Sequence, residues 1–130
     1  MGASFKLFDK EYPLVCTVEA LQELTENVGG DLNRLTEPLE SGDSMVQLQE
    51  GIRFIYSFMK AGRNREIIRQ RMLGEKMEET YFPSFEEFKQ CMEISDLRRM
   101  MEAVKETITE SRKQTVEIIP EKNAEATRSE

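Results

Sequence analysis

Histidine is absent from this 130-residue chain, which removes the usual general base and the commonest neutral metal ligand. The side chains left for chemistry are two thiols, Cys16 and Cys91, many carboxylates, and an arginine cluster at Arg63, Arg65, Arg69 and Arg71. A thiol pair can ligate zinc, form a disulfide or supply a nucleophile. Here the two lie far apart in sequence, without paired-cysteine zinc spacing, each inside an apolar pattern, so the expectation is reduced packing groups. The carboxylates are spread as on solvated helix faces, and the surroundings of Asp31 and Asp43 lack the alternating oxygen ligands of a calcium loop. Gly29 and Gly30 are adjacent helix-end glycines rather than a phosphate-binding loop. No catalytic, cofactor-binding or metal-ligating residue is assigned, no cofactor is expected, and the chain reads as a non-enzyme.

The net charge of −7 argues against a protein whose main task is to grip nucleic acid, because phosphate neutralisation needs surplus Lys and Arg. The arginine cluster therefore reads first as a solvated face balanced by Glu66, Glu75, Glu78 and Glu79. Nucleic-acid contact and docking onto an acidic subunit are the other uses. No apolar run approaches the ~20 residues that span a bilayer, and the N-terminus lacks a charged segment followed by an apolar one, so the expected location is cytoplasmic.

The elements that must position these groups begin with a hairpin. Phe5 and Leu7, a turn at Asp9-Lys10, then Tyr12, Leu14 and Cys16 alternate with period two. Thr17 caps a helix in which Leu21, Leu24 and Val28 recur at three- and four-residue spacing until Gly29-Gly30, and this helix is the expected cover for the hairpin. Asp31 caps a short segment limited by Pro38, and Ser44 with Gln47 forms a capping box for a third helix, from about Met45 to Ala61. Leu48, Ile52, Ile55 and Met59 form its stripe, widened by Met45, Phe54, Tyr56 and Phe58 to about half the circumference. So wide an arc fits the central helix of a bundle; the functional alternative leaves Phe54, Phe58 and Met59 as part of a partner-binding groove or an oligomer contact. Gly62 closes this helix and Asn64 caps another that bears Ile67, Ile68, Met72 and Leu73, with Arg65 and Arg69 sharing a face as candidate partner contacts.

Ser84 and Glu87 form a capping box, with Pro83 and Phe88 as its hydrophobic staple, and Phe85, Phe88 and Met92 continue the apolar side. After Ser95-Asp96 a last helix presents Leu97, Met101, Val104 and Ile108, with Met100 beside them, in a spacing that also suits self-association. The fold class expected is α+β and predominantly helical: a hairpin (4–16) on a bundle of about five helices (17–111) in one domain, 1–111. A flexible polar tail, 112–130, contains the small apolar patch Val116 to Ile119.

Lys10, Glu11, Tyr12 and Leu14, followed by Thr17, Ala20, Leu21, Glu23 and Leu24, spell a hairpin with Lys-Glu-Tyr and a Thr-capped helix of the form Ala-Leu-x-Glu-Leu. This pattern resembles the tail assembly chaperones of long-tailed bacteriophages and prophages, continuing more loosely through Ile52 to Met59 and Gly62. The resemblance implies a protein that holds the helical tape-measure protein soluble while tail-tube subunits polymerise around it. It also implies that the tube protein is a possible partner and that a frameshifted longer product can extend the polar tail, while the helix spacing leaves a homo-oligomer possible. Eight methionines supply adaptable apolar surface for such a task. The competing expectations are a small regulatory or adaptor protein, with a helix-turn-helix-like segment around Asn64 to Met77, and a minor structural subunit of the virion.

Overall fold

Alternation in the first residues builds an antiparallel hairpin of β1 (Ser4–Leu7) and β2 (Lys10–Pro13), with Phe5 opposite Tyr12 and Leu7 opposite Lys10. The computed structural model describes residues 2–76 and 80–118, with 114–118 as backbone alone. Phe5 and Leu7 point into the core while Ser4 and Lys6 face water. The turn is Phe8-Asp9, one residue earlier than expected, with both residues at positive φ, 50° and 64°. Two positive φ values give a mirror-image turn whose twist matches the strands, and this register lets Lys10 pair with Leu7.

The sequence pattern makes the first helix the cover for the hairpin, but the hairpin lies mainly against α2 (Ser44–Met72) and α4 (Leu97–Ile118). The Val15 amide donates to the Phe58 carbonyl of α2 at 3.3 Å, and the Arg99 guanidinium of α4 donates to the Lys6 carbonyl at 2.7 Å while stacking on the Phe5 ring. Helix α1 (Val18–Thr25) starts where the Thr17 hydroxyl accepts the Ala20 amide at 3.2 Å. It covers α2 instead: Arg53 donates to the carbonyls of Glu23 and Leu24 in the last turn of α1, where carbonyls lack partners within the helix. Three 3₁₀ turns, Glu26–Val28, Leu32–Arg34 and Glu37–Glu40, follow, the last built on Pro38.

Helix α2 departs from the expected pattern at both ends. Its N-cap is Asp43, whose carboxylate accepts the amides of Met45 and Val46 at 2.9 and 3.3 Å; Ser44 is the first helical residue and the Gln47 side chain reaches back to the Ser41 carbonyl. A charged acceptor at a helix N-terminus outcompetes the adjacent hydroxyl. At the other end the helix runs straight through Gly62 and Asn64 for 29 residues, stopping at Leu73 and Gly74. Gly62 is not a terminator. A Cβ there would fall on the carbonyl oxygen of Pro13, so the glycine lets the hairpin backbone approach.

Helix α3 (Phe85–Cys91) begins with the expected capping box, in which Ser84 accepts the Glu87 amide and Glu87 accepts the Ser84 amide. Tyr56 of α2 packs among Phe82, Phe85 and Phe88 with ring centroids 5.2–5.8 Å away, and its hydroxyl donates to the Pro83 carbonyl at 2.8 Å. On another side of α2, Gly51 brings the backbone against Met100 and Met101 of α4. The last helix continues to Ile118, so the tail boundary expected at 112 falls inside α4; residues 119–130 lie outside those described. The result is α+β and mostly helical, with α2 at its centre.

Candidate protein-binding groove

Because α2 continues past Gly62, its last turns project beyond the packed body. From Arg63 to Met72 no side chain is buried, and Ile68, Met72 and Leu73 stand exposed. The first turn of α1 runs alongside, and the two helices enclose a groove of about 490 Å³. Its apolar lining comes from Val18 and Ala20 of α1 and from Ala61, Ile68 and Met72 of α2. Val18 is 73% exposed, Ile68 53% and Met72 81%, values far from those of core residues. Arg65 and Arg69 complete the α2 side.

At the inner end, Glu23 ties α1 to α2. Its carboxylate accepts from the Ser57 hydroxyl at 2.7 Å and pairs with the Lys60 ammonium at 3.1 Å. Burial alone would raise the Glu23 carboxyl, but the bonds from Ser57 and Lys60, with the nearby charge of Arg53, outweigh it and hold the group below its ordinary value. Arg69 is engaged by Glu66 at 2.6 Å and Glu75 at 3.3 Å. Among the described residues, Arg65 has no carboxylate partner.

The residues proposed from sequence separate into two groups. Phe54, Phe58 and Met59 are fully enclosed, with Phe54 and Phe58 edge to face at 6.1 Å, so they form core and offer nothing to a partner. The reason is that α1, α3, α4 and the hairpin surround α2, as its wide apolar arc requires. Arg65 and Arg69 do reach the surface and line the groove. Val18, Ile68 and Met72 are not among the contacts the sequence pattern suggests. The signal was present, since Ala61, Ile68 and Met72 form one stripe at i, i+7 and i+11, but reading Gly62 as a helix end cuts that stripe.

The quoted motif positions have structural work. Leu14, Ala20 and Leu24 are buried, Thr17 caps α1, Leu21 and Tyr12 pack against the core, and Glu23 pins the two helices. Glu11 accepts from the Ser4 hydroxyl across the hairpin, and Lys10 donates to the Tyr81 carbonyl at 3.3 Å. In the arginine cluster, Arg63 lies over the Phe82 ring at 5.1 Å. A second, more polar cavity of about 610 Å³ lies between the hairpin exit and α4, lined among others by Glu11, Cys16, Arg65, Glu110 and Ser111. Cys16 and Cys91 are both free, and burial pushes the Cys16 thiol up despite a hydrogen bond with Ser111, which leaves it a poor nucleophile.

Among the described residues, no group of three or more carboxylates and thiols is placed to hold a metal ion, and no helix is long and apolar enough to cross a membrane. Comparison with protein-family models, with curated proteins and with solved structures finds no match to this chain.

Proposed function

We propose that this protein is a tail assembly chaperone of a long-tailed bacteriophage or prophage, acting in the bacterial cytoplasm to bind the tape-measure protein and keep it soluble while the tail tube polymerises. One structural observation supports a binding role: an open apolar groove at the projecting end of α2, bordered by side chains that folding alone would bury or replace. The specific assignment leans on the resemblance of Lys10 to Leu24 to that family. The long helical tape-measure protein that the resemblance implies is the kind of ligand that a two-helix groove accepts along its length.

The test is co-expression with a long helical tape-measure protein encoded beside this gene, the partner the proposal requires, followed by affinity capture and comparison of the soluble fraction. Ile68→Glu with Met72→Glu is the informative variant. Both positions are exposed, so the double variant should melt like the parent yet lose capture and solubilisation. Substituting Phe54 or Phe58 would instead unfold the core. If the parent neither captures nor solubilises that protein, the chaperone assignment is wrong.

A further inference from the structure

We infer that the groove between α1 and α2 receives an amphipathic helix flanked by acidic residues, an inference that rests on reading the chain as a protein-binding module. Shape comes first. At ~100° per residue, Ala61, Ile68 and Met72 fall within about 40° of one another, and the distance along the axis from the first to the last is about 16 Å. Val18 forms the facing wall and Ala20 with Ala61 keeps the floor shallow. A helix of about three turns lies lengthwise in such a channel. An extended peptide would need open backbone groups to pair with, and both walls are helices whose backbone bonds are internal.

Charge selects the partner. Arg65 and Arg69 line the groove, Arg65 about 60° from Ile68 on α2, and Arg71 stands about 60° from Ile68 on the other side of the stripe, outside that lining. Among the described residues neither Arg65 nor Arg71 has a carboxylate partner. Of the two acids lining the groove, Glu23 is committed to Ser57 and Lys60, which leaves Glu19 in the first turn of α1 against a cationic wall. A second copy of the chain docked here about a two-fold axis would set arginines against arginines. An acidic helix meets them instead, and the net charge of −7 repels it from the rest of the surface and orients it toward this end.

The test uses the full chain and three cross-linked helical peptides with leucine at i, i+4, i+7 and i+11, differing only in flanking residues: Glu, Gln or Lys. Fluorescence anisotropy at physiological salt should show the Glu peptide binding about tenfold more tightly than the Gln peptide, with the Lys peptide weakest. Arg65→Glu with Arg71→Glu should reverse that order. Ile68→Glu with Met72→Glu should abolish binding of all three without changing the thermal melt. Equal binding of the three peptides, no binding of any, or unaltered binding by the Ile68/Met72 variant would overturn the inference. So would sedimentation showing a dimer of the parent that the same variant dissociates, since the groove would then belong to a second copy. Capture of the long helical protein without peptide binding would sink this inference and spare the chaperone proposal; peptide binding without capture would do the reverse.

Discussion

Glu23 shows how one side chain can hold two elements in register. Its carboxylate meets Ser57 and Lys60 of α2 from a position in the last turn of α1, so ionised Glu23 is worth more folded than unfolded. Its carboxyl is held below the ordinary value of 4.5, and a depressed folded value stabilises the native state above the unfolded value. That contribution fades as pH falls through the folded value. Glu23→Gln should therefore be less stable than the parent at pH 7, and the gap should narrow on acidification below about pH 4.5. Urea midpoints at neutral and acidic pH measure this, and a gap independent of pH would refute it. Glu66, Glu87 and Asp96 are also held low by their hydrogen bonds, so the variant keeps part of the parent's acid sensitivity.

At the level of elements, local signals were readable and remote ones were not. The capping box of α3 was legible because Ser84 and Glu87 satisfy each other within one turn. The Thr17 cap of α1 was legible for the same reason. Gly62 is ambiguous in the sequence because a glycine in a helical pattern looks the same whether it ends the helix or admits a neighbour, and the neighbour, Pro13, is distant in sequence. Read as an end, it splits α2 and hides the stripe that lines the groove. The burial of Phe54 and Phe58 followed from the width of their arc, but which exposed residues bordered a cleft depended on where α1 settled, and only the tertiary fold decides that. A comparison of two glycines tests this account. Alanine in place of glycine gains about 1 kcal/mol of helix propensity. At Gly62 the added carbon would collide with the Pro13 carbonyl group, backbone that cannot yield, so Gly62→Ala should cost about 1–3 kcal/mol net. At Gly51 it would meet the tips of Met100 and Met101, flexible side chains that can repack, so Gly51→Ala should cost less. Denaturant melts of the two variants check the order, and the reverse order would mean that the hairpin is not held against α2 as described.

On the scale of the whole molecule, one continuous helix serves two environments. Up to Ala61, α2 is the core: Phe54, Ile55, Phe58 and Met59 are enclosed by other elements on several sides, and opening there exposes most of the molecule's apolar interior. Beyond Gly62 its backbone bonds persist but no side chain is buried, so that segment depends on helix propensity and on the exposed, solvent-screened Arg69 pairs with Glu66 and Glu75. Few buried contacts permit local opening without global unfolding. Amides of residues 66–72 should therefore exchange with solvent orders of magnitude faster than those of 54–59, although both stretches belong to the same helix. A protein gripped in the groove adds its contacts to α2 chiefly at Arg65, Ile68 and Met72, so its binding should slow exchange in 66–72 and leave 54–59 at the rate of global unfolding. Hydrogen exchange followed by mass spectrometry, with and without the bound partner, reads both predictions at once. Uniform protection along α2 in the free protein would show that the projecting turns are already covered, and protection gained only elsewhere would move the binding surface away from this helix.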